Sequence, residues 1–133
     1  MSRDWQRRLT IASMKLTLTD NPSPRRGEIW TANIGEPPAR HWVLIVSVDA
    51  RNLSRHVDSI LTVPFSSSGC EGPTVLKLGP GETGLPATHY LSGDSIDTIK
   101  KSRLIEQHPR TLSETRMREV VRVIRRAFDP DAP

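Results

Sequence analysis

Cysteine is almost absent from this sequence, which contains only Cys70 in 133 residues. A single thiol forms no internal disulfide and is too few for a cysteine-based zinc site. Long apolar runs are absent too, because no stretch approaches the roughly 20 residues that a membrane-spanning helix needs. These absences exclude a disulfide scaffold and a transmembrane protein, and they favour a reducing, cytoplasmic compartment.

The usual metal, nucleotide and hydrolase motifs are also missing. The four histidines are dispersed, and no two of them stand four residues apart as a helical metal-binding pair would. Gly79-Pro80-Gly81 is a turn rather than a phosphate-binding loop, because proline removes an amide donor that such a loop needs. No nucleophile elbow is present. The sequence therefore predicts no metal, no nucleotide cofactor and no hydrolytic α/β enzyme.

Lysine is scarce as well: only four of the 19 basic residues are lysine, and the formal net charge is +4. The guanidinium groups that make up the rest suit bidentate contact with phosphate, so an anionic partner fits this composition. The alternative is an arginine-rich helix face in solvent. Composition alone favours that alternative.

The length and the 35% hydrophobic content predict one soluble domain with one core. Residues 1–24 are predicted to be an N-terminal extension, because Asn21-Pro22-Ser23-Pro24 breaks any helix or central strand. Leu16 and Leu18 alternate with threonines, which permits a short edge strand there. The domain itself is predicted to span residues 25–133.

From residue 25 onward, short apolar stretches alternate with turns. The stretch 28–34 predicts a strand with Trp30, Ala32 and Ile34 on one face. The β-branched run 43–48 predicts a strand buried on both faces. Other strands are predicted at 59–65, 74–78, 88–92, 96–99 and 104–106, with loops at 35–39 and 79–84 and a helical turn within 49–56.

The C-terminal segment predicts an amphipathic helix. Thr111-Leu112-Ser113-Glu114 has the spacing of a capping box, and Asp129-Pro130 ends the helix. Its apolar stripe comprises Leu112, Met117, Val120, Val121, Ile124 and Phe128. Strand after strand followed by one helix predicts a mainly β (α+β) fold, a strongly twisted antiparallel sheet or small barrel with a C-terminal helix.

Five short segments occur in a particular order. They are Arg26-Gly27-Glu28-Ile29-Trp30, the stretch 43–52, the stretch 61–67, Thr83-Gly84-Leu85 and the stretch 94–104. Each is weak alone, but in this order and spacing the chain resembles the MazF/PemK family of toxin endoribonucleases from toxin–antitoxin systems. The resemblance covers roughly residues 25–128.

The resemblance implies an SH3-like barrel with a C-terminal helix, acting as a homodimer. It further implies a toxin that cleaves single-stranded RNA (mRNA, tRNA or rRNA) without a metal or cofactor and leaves a 2′,3′-cyclic phosphate and a 5′-hydroxyl. A cognate acidic antitoxin is the implied inhibitor, its partly disordered tail occupying the basic RNA groove.

The family pattern also points to catalytic residues. It carries a Thr or Ser at the end of the third strand, which Ser66 matches, and an arginine just before the second strand. At that second position this chain has His41, with Arg40 one residue upstream. Arg40 reaches the same place if 39–41 is loop, whereas in a strand a one-residue shift turns the side chain to the opposite face.

His41 is the other candidate for that catalytic position, because imidazole exchanges protons near neutral pH. In a further alternative, His41 is a rim residue of a chain that has lost efficient cleavage. The sequence leaves these alternatives open and slightly favours Arg40.

The RNA-binding candidates follow from the same pattern. Arg26 precedes the first strand, Ser67 follows Ser66, and Asp94 and Ser95 lie in a segment where many members carry glutamine and arginine; Asp97 stands at the arginine position. For Arg26 and Ser67 the alternative roles are a solvated strand start and a turn. Trp42 offers a surface for base stacking, whereas Trp30 is favoured as core.

A second class of function fits the same fold. CcdB-type toxins share the fold of this family and poison DNA gyrase instead of cutting RNA, so fold alone does not choose between the two. A non-catalytic or degenerate relative that binds RNA or a protein belongs to this second class. The discriminating feature is a cation at 40 or 41 paired with the hydroxyl of Ser66.

Overall fold

A computed structural model describes residues 22–133. The strand proposed around Leu16 and Leu18 lies outside the described residues. The described residues contain seven strands: β1 Glu28–Ile34, β2 Ala39–Ile45, β3 Ser59–Pro64, β4 Val75–Leu78, β5 His89–Ser92, β6 Asp97–Lys100 and β7 Leu104–Thr111. The helices are α1 Asp49–Asn52, α2 Pro80–Thr83 and α3 Glu114–Phe128, and a 3-10 turn covers Lys101–Arg103.

The strands form a five-stranded sheet in the order β6-β3-β2-β1-β7 and a two-stranded sheet of β4 and β5. Every pairing among the described strands is antiparallel. The predicted mainly antiparallel sheet with a C-terminal helix is therefore confirmed. The five-stranded sheet is open, with β6 and β7 at its edges.

β2 starts four residues earlier than predicted and ends three residues earlier. It begins at Ala39 because β1 pairs with it along six consecutive positions, from Ile29 opposite Leu44 to Ile34 opposite Ala39. It ends at Ile45 because the chain then turns away through Ser47. The Ser47 hydroxyl donates to the side-chain oxygen Oδ1 of Asn52. The predicted loop is correspondingly shortened to 35–38.

β7 is also longer than the predicted 104–106. Its pairing with β1 reaches Thr111, opposite Glu28, with the register shifting in between. Pro109 lies within this strand, which is compatible with an edge position because proline has no N–H to donate to a second neighbour.

Both faces of the large sheet are covered by apolar side chains. On one face Trp30 and Ala32 pack with Val43 and Ile45 and with neighbours from β3, β6 and β7, and Ile34 joins this cluster as predicted. On the other face Leu44 and residues of β3 pack against the small sheet and α3. The burial of β2 on both faces over 43–45 confirms that part of the prediction.

The predicted apolar stripe is confirmed in part. Leu112, Met117 and Val120 are buried and Ile124 packs on the core, whereas Val121 is 37% and Phe128 73% exposed. Val123, outside the predicted stripe, is buried as well. The N-cap of α3 is Ser113 rather than Thr111, because the Ser113 hydroxyl accepts a hydrogen bond from the Arg116 amide.

Within the described residues no helix is both long and apolar enough to cross a membrane.

The helix packs on the chain through Gly93, which follows β5 and is buried. A Cβ built on Gly93 would lie 2.2 Å from the carbonyl oxygen of Val123 and 2.8 Å from the nitrogen of Ile124. Both atoms belong to the helix backbone, so no side-chain adjustment relieves the clash. Gly93 therefore permits the close approach of α3 to the sheet.

We expect Gly93→Ala to destabilise the protein by roughly 2–3 kcal/mol, because the helix must move away from the sheet. Gly81→Ala is the matched control, since a Cβ at Gly81 meets nothing within 4 Å. Urea unfolding of both variants measures the difference. Equal midpoints for the two variants would contradict this account of the packing.

A second attachment of α3 is ionic. The Arg116 guanidinium donates to Glu82 of α2 at 2.7 Å and also bonds Glu119. The hydrogen bond from Arg116 holds the pKa of Glu82 below its ordinary value, against the opposing effect of burial. The same bond raises the pKa of Arg116.

Because the pKa of Glu82 is lowered in the folded state, this stabilisation is present above the unfolded pKa and is lost as the pH falls through the folded pKa. We expect Glu82→Gln to cost about 1 kcal/mol or less at pH 7, since both side chains are partly exposed, and to cost less at about pH 3 than at pH 7. Urea midpoints at the two pH values test this. Glu71→Gln, at an exposed residue with no ion pair among the described side chains, is the control.

Candidate functional site

The start of β2 is an exposed strand, and this settles how its two basic residues are oriented. Arg40 and His41 are consecutive strand residues, so they point to opposite faces of the sheet. Arg40 lies on the Trp42 face, where its Nη1 is 3.9 Å from Glu106 Oε1. His41 lies on the Ala32 face and its Nε2 sits beside Gly35.

Ser66 follows β3, two residues beyond the last pair between β2 and β3. β2 and β3 pair at Val43 and Pro64, and the Phe65 amide still donates to the Trp42 carbonyl at 2.9 Å. This ladder, continued by one residue, would bring Ser66 opposite His41 as a non-hydrogen-bonded pair, the kind in which side chains come closest. The Ser66 amide and carbonyl both bond Tyr90 on the other side.

The Ser66 hydroxyl is held in a local turn. It donates to the Ser68 carbonyl at 2.7 Å and accepts from the Ser68 amide at 3.3 Å. Ser66, Ser67 and Ser68 are all exposed, so the hydroxyl is accessible from solvent.

A groove of about 290 Å³ lies on the His41 side of the sheet. Two cations line it, Lys100 at the end of β6 and Arg103, whose Nη1 donates to the Asn33 carbonyl at 3.2 Å. Asp97 adds a negative charge. The groove is lined by Ile34, Gly35, Asp97, Thr98, Ile99, Lys100 and Arg103.

Lys100 and Arg103 were not among the predicted site residues. The sequence signal for them is the basic run 100–103 that follows β6. It lies inside one of the five segments that carry the family resemblance, yet periodicity alone does not tell which of its side chains faces the groove.

Asp94 and Ser95 form the turn that leads into β6. The Ser92 hydroxyl bonds Asp94 and holds the pKa of that carboxyl below its ordinary value, and Ser95 Oγ adds a weaker bond at 3.4 Å. β6 pairs with β3 from Asp97 opposite Thr62, and the same register continued puts Ser95 beside the end of β3. These two residues therefore lie near Ser66.

Arg26 is separated from this end of the sheet. Its amide donates to Asp49 at 2.7 Å and its guanidinium to Glu114 at 2.9 Å. It precedes β1, whereas Arg40 pairs with Asn33 near the other end of that strand, a separation of about 20 Å along an extended chain. The structure therefore does not bring Arg26 together with Arg40, His41 and Ser66.

The side chains of the two tryptophans considered in the sequence differ in burial. Trp30 is 9% exposed, lies in the core, and donates its indole N–H to Glu28 at 2.9 Å. Trp42 is half-buried, and its ring meets that of His108 edge-on.

Across residues 22–133, no three His, Cys, Asp or Glu side chains gather as a metal site would require.

The chain thus combines an open antiparallel sheet and a C-terminal helix with exposed basic and hydroxyl groups at one end of its central strands. Residues 25–128 match the model of the PemK-like, MazF-like toxins of type II toxin–antitoxin systems. The chain belongs to this family, and the resemblance inferred from the sequence is confirmed.

Named relatives and a solved structure agree with this membership. The chain is 34% identical over 82 residues to endoribonuclease MazF1 of Mycobacterium bovis and to endoribonuclease MazF4 of Mycobacterium tuberculosis, covering 62% of this chain and 71% of each relative. A mycobacterial endoribonuclease solved in complex with its cognate antitoxin aligns with a TM-score of 0.68 and 26% identity. That alignment covers 83% of this chain and 99% of the other.

Proposed function

We propose that this toxin is an endoribonuclease that cleaves single-stranded RNA without a metal ion. The proposal is supported by the β2–β3 register, which when continued brings His41 and Ser66 opposite each other, and by two cations in the groove next to Gly35; relatives of the chain are named endoribonucleases. The alternative of a non-catalytic binder has no comparable feature in its favour.

The proposed reaction is an attack within the RNA. The 2′-oxygen of one nucleotide attacks the adjacent phosphorus, the bond from phosphorus to the 5′-oxygen breaks, and a 2′,3′-cyclic phosphate and a 5′-hydroxyl result. His41 takes the proton that leaves the 2′-hydroxyl, and water supplies the proton that the departing 5′-oxygen receives. Ser66 donates a hydrogen bond to the phosphate, and Lys100 and Arg103 stabilise its growing negative charge.

Arg40 has a different role in this proposal from the one that the sequence favours. Because β2 runs back to Ala39, Arg40 faces away from the groove and from Ser66. Its guanidinium is 59% exposed and only loosely paired with Glu106, which leaves it available to an RNA phosphate on the other face. Ser67, Asp94 and Ser95 border the same path, whereas Arg26 sits too far away to join it.

The assembly proposed around this site follows the family. Residues 25–133 form the toxin domain, and 1–24 an extension of it. The curved sheet is an SH3-like barrel, supported by the hydrogen bonds that join Ser66 to Tyr90 and by the three-residue turn from β6 to β7. A cognate acidic antitoxin, a homodimer and a cytoplasmic location complete the proposal.

The test is incubation of the purified full chain with a long RNA in EDTA, with both new ends mapped. We expect cyclic-phosphate and 5′-hydroxyl ends from the wild type. Loss of a proton-transfer group lowers rates by about 10²–10⁴-fold, so His41→Ala should cleave at least 100-fold more slowly. Ser66→Ala should also cleave more slowly. Arg40→Ala should mainly raise the RNA concentration that gives the half-maximal cleavage rate.

Arg125→Ala is the matched control for Arg40→Ala. Arg125 is 54% exposed and lies 3.6 Å from Asp129, much as Arg40 lies near Glu106, but it is on the outer face of α3. Full cleavage by both Arg40→Ala and His41→Ala would refute these roles. Absence of cyclic-phosphate products across diverse RNA would point to a non-catalytic toxin, and cleavage abolished by EDTA would contradict the metal-free reaction.

The negative charge of Asp97 in the groove gives a separate prediction. Asp97→Asn removes a repulsion from the RNA phosphates, which at a surface site amounts to about 2- to 5-fold tighter binding. Asp131→Asn makes the same change at an exposed residue near the C-terminus. Filter binding at low salt compares them, and equal affinities would show that RNA does not pass Asp97.

A further inference from the structure

The segment 66–73, which leads from β3 towards β4, carries the Ser66 hydroxyl that the proposed reaction uses. Every residue of this segment is exposed, so burial does not hold it in place. Its far end is fixed by two backbone hydrogen bonds between Gly72 and Val75, at 3.1 and 3.2 Å. The position of its near end, where Ser66 lies, therefore depends on the contacts made there.

Tyr90 of β5 holds the backbone of Ser66. The Ser66 amide donates to the Tyr90 carbonyl at 3.0 Å, and the Tyr90 amide donates to the Ser66 carbonyl at 2.8 Å. This is a single antiparallel pair outside the named strand ladders. On its other side Tyr90 pairs with Lys77 of β4. The backbone of Ser66 is thus attached to the small sheet.

The Ser66 hydroxyl makes two hydrogen bonds with Ser68, and the two differ in what they fix. A hydroxyl offers one hydrogen and two lone pairs. The hydrogen is donated to the Ser68 carbonyl at 2.7 Å, whereas the oxygen accepts from the Ser68 amide at 3.3 Å. To donate to a phosphate, the hydrogen must rotate away from the Ser68 carbonyl. The Ser68 amide can hold the oxygen during that rotation, so the position of Ser68 determines where the oxygen stands.

The side chain of Tyr90 lies against Gly69, the residue after Ser68. A Cβ built on Gly69 would be 3.2 Å from Tyr90 Cγ and 3.3 Å from Tyr90 Cβ, which is closer than ordinary van der Waals contact. The φ angle of Gly69 is +150°, a value that residues with side chains rarely adopt. Glycine at this position lets the loop backbone rest directly on Tyr90. The contact is made by carbon atoms and not by the phenol oxygen.

We propose that Tyr90 is a positioning residue for the cleavage reaction. Its side chain supports Gly69, Gly69 holds the neighbouring Ser68 in place, and Ser68 holds the Ser66 oxygen where it meets the phosphate. The part that Ser66 plays rests on the proposed function, whereas the support of the loop by Tyr90 does not. Because Tyr90 acts through Ser66, its loss should slow the chemical step and leave RNA binding in place.

The first experiment measures kcat and KM of the full chain on RNA in EDTA. We expect Tyr90→Ala to lower kcat about 10-fold and to change KM less than about 3-fold, because a displaced catalytic group slows the reaction itself. Tyr90→Phe, which keeps the contacting carbon atoms, should stay within about 2-fold of wild type in kcat. Gly69→Ala should also lower kcat. Gly72→Ala is its matched control in the same segment, since a Cβ there meets nothing within 4 Å.

A double-mutant cycle separates positioning from a general structural role. In a Ser66→Ala chain, Tyr90→Ala should cause no further loss of kcat, because the hydroxyl that it positions is already gone. The same fold-loss with and without the Ser66 hydroxyl would overturn the proposal. Unfolding midpoints identify any variant that has lost its fold, and Gly69→Ala replaces Tyr90→Ala in the cycle if the latter does not fold.

The second experiment does not depend on cleavage. Backbone NMR order parameters over 66–69 should be near the rigid value of about 0.85 in the wild type and in Tyr90→Phe, and should fall below about 0.6 in Tyr90→Ala. Equal order parameters in all three proteins overturn the proposal, even if the wild type cleaves RNA. If the wild type cleaves nothing while the order parameters fall in Tyr90→Ala alone, the reaction proposed above fails and the support of the loop by Tyr90 stands.

Discussion

The alternation of side chains along β2 is the constraint on which the site depends. β2 pairs with β1 on one side and β3 on the other, and both of its faces are buried over 43–45. A slip of one residue would turn its apolar side chains to the wrong faces, so the register is strongly determined. The register also fixes the side-chain directions at the exposed end of β2, residues 39–41. His41 therefore lies on the face of Ala32, and Arg40 on the face of Trp42.

The two faces of the sheet differ in the charges that stand beside this strand end. The groove face carries Lys100 and Arg103 with one opposing carboxylate, Asp97. On the other face, the Arg40 guanidinium lies beside Glu106 of β7. The proton transfer and phosphate stabilisation proposed above draw on the groove face.

Much of the fold could be predicted from local pattern. The strands over 28–34 and 59–65 and the amphipathic C-terminal helix follow from alternation and helical spacing. The ends of β2 and β7 did not follow, because both are extended by pairing with β1, and pairing partners are not encoded in the strand's own composition. The buried stripe of α3 was misassigned at Val121 and Phe128, since the contact with Gly93 decides which side of the helix faces the sheet.

The site was only partly predictable for the same reason. Ser66 and the pair Arg40 and His41 could be found from the family pattern, but which of the two faces Ser66 depends on whether 39–41 is strand or loop. Lys100 and Arg103 lie in a basic run that the sequence shows, but the course of β6 and of the turn after it decides that these two side chains line the groove.

Pro109 affects how copies of this chain meet. β7 is an edge of the large sheet, and an unpaired edge is a template on which another strand can add. Proline offers no amide hydrogen, and its neighbours lie where the register against β1 shifts, so the outer edge of β7 is interrupted near its C-terminal end. Extension of the sheet by a second strand along the whole length of β7 is thereby opposed.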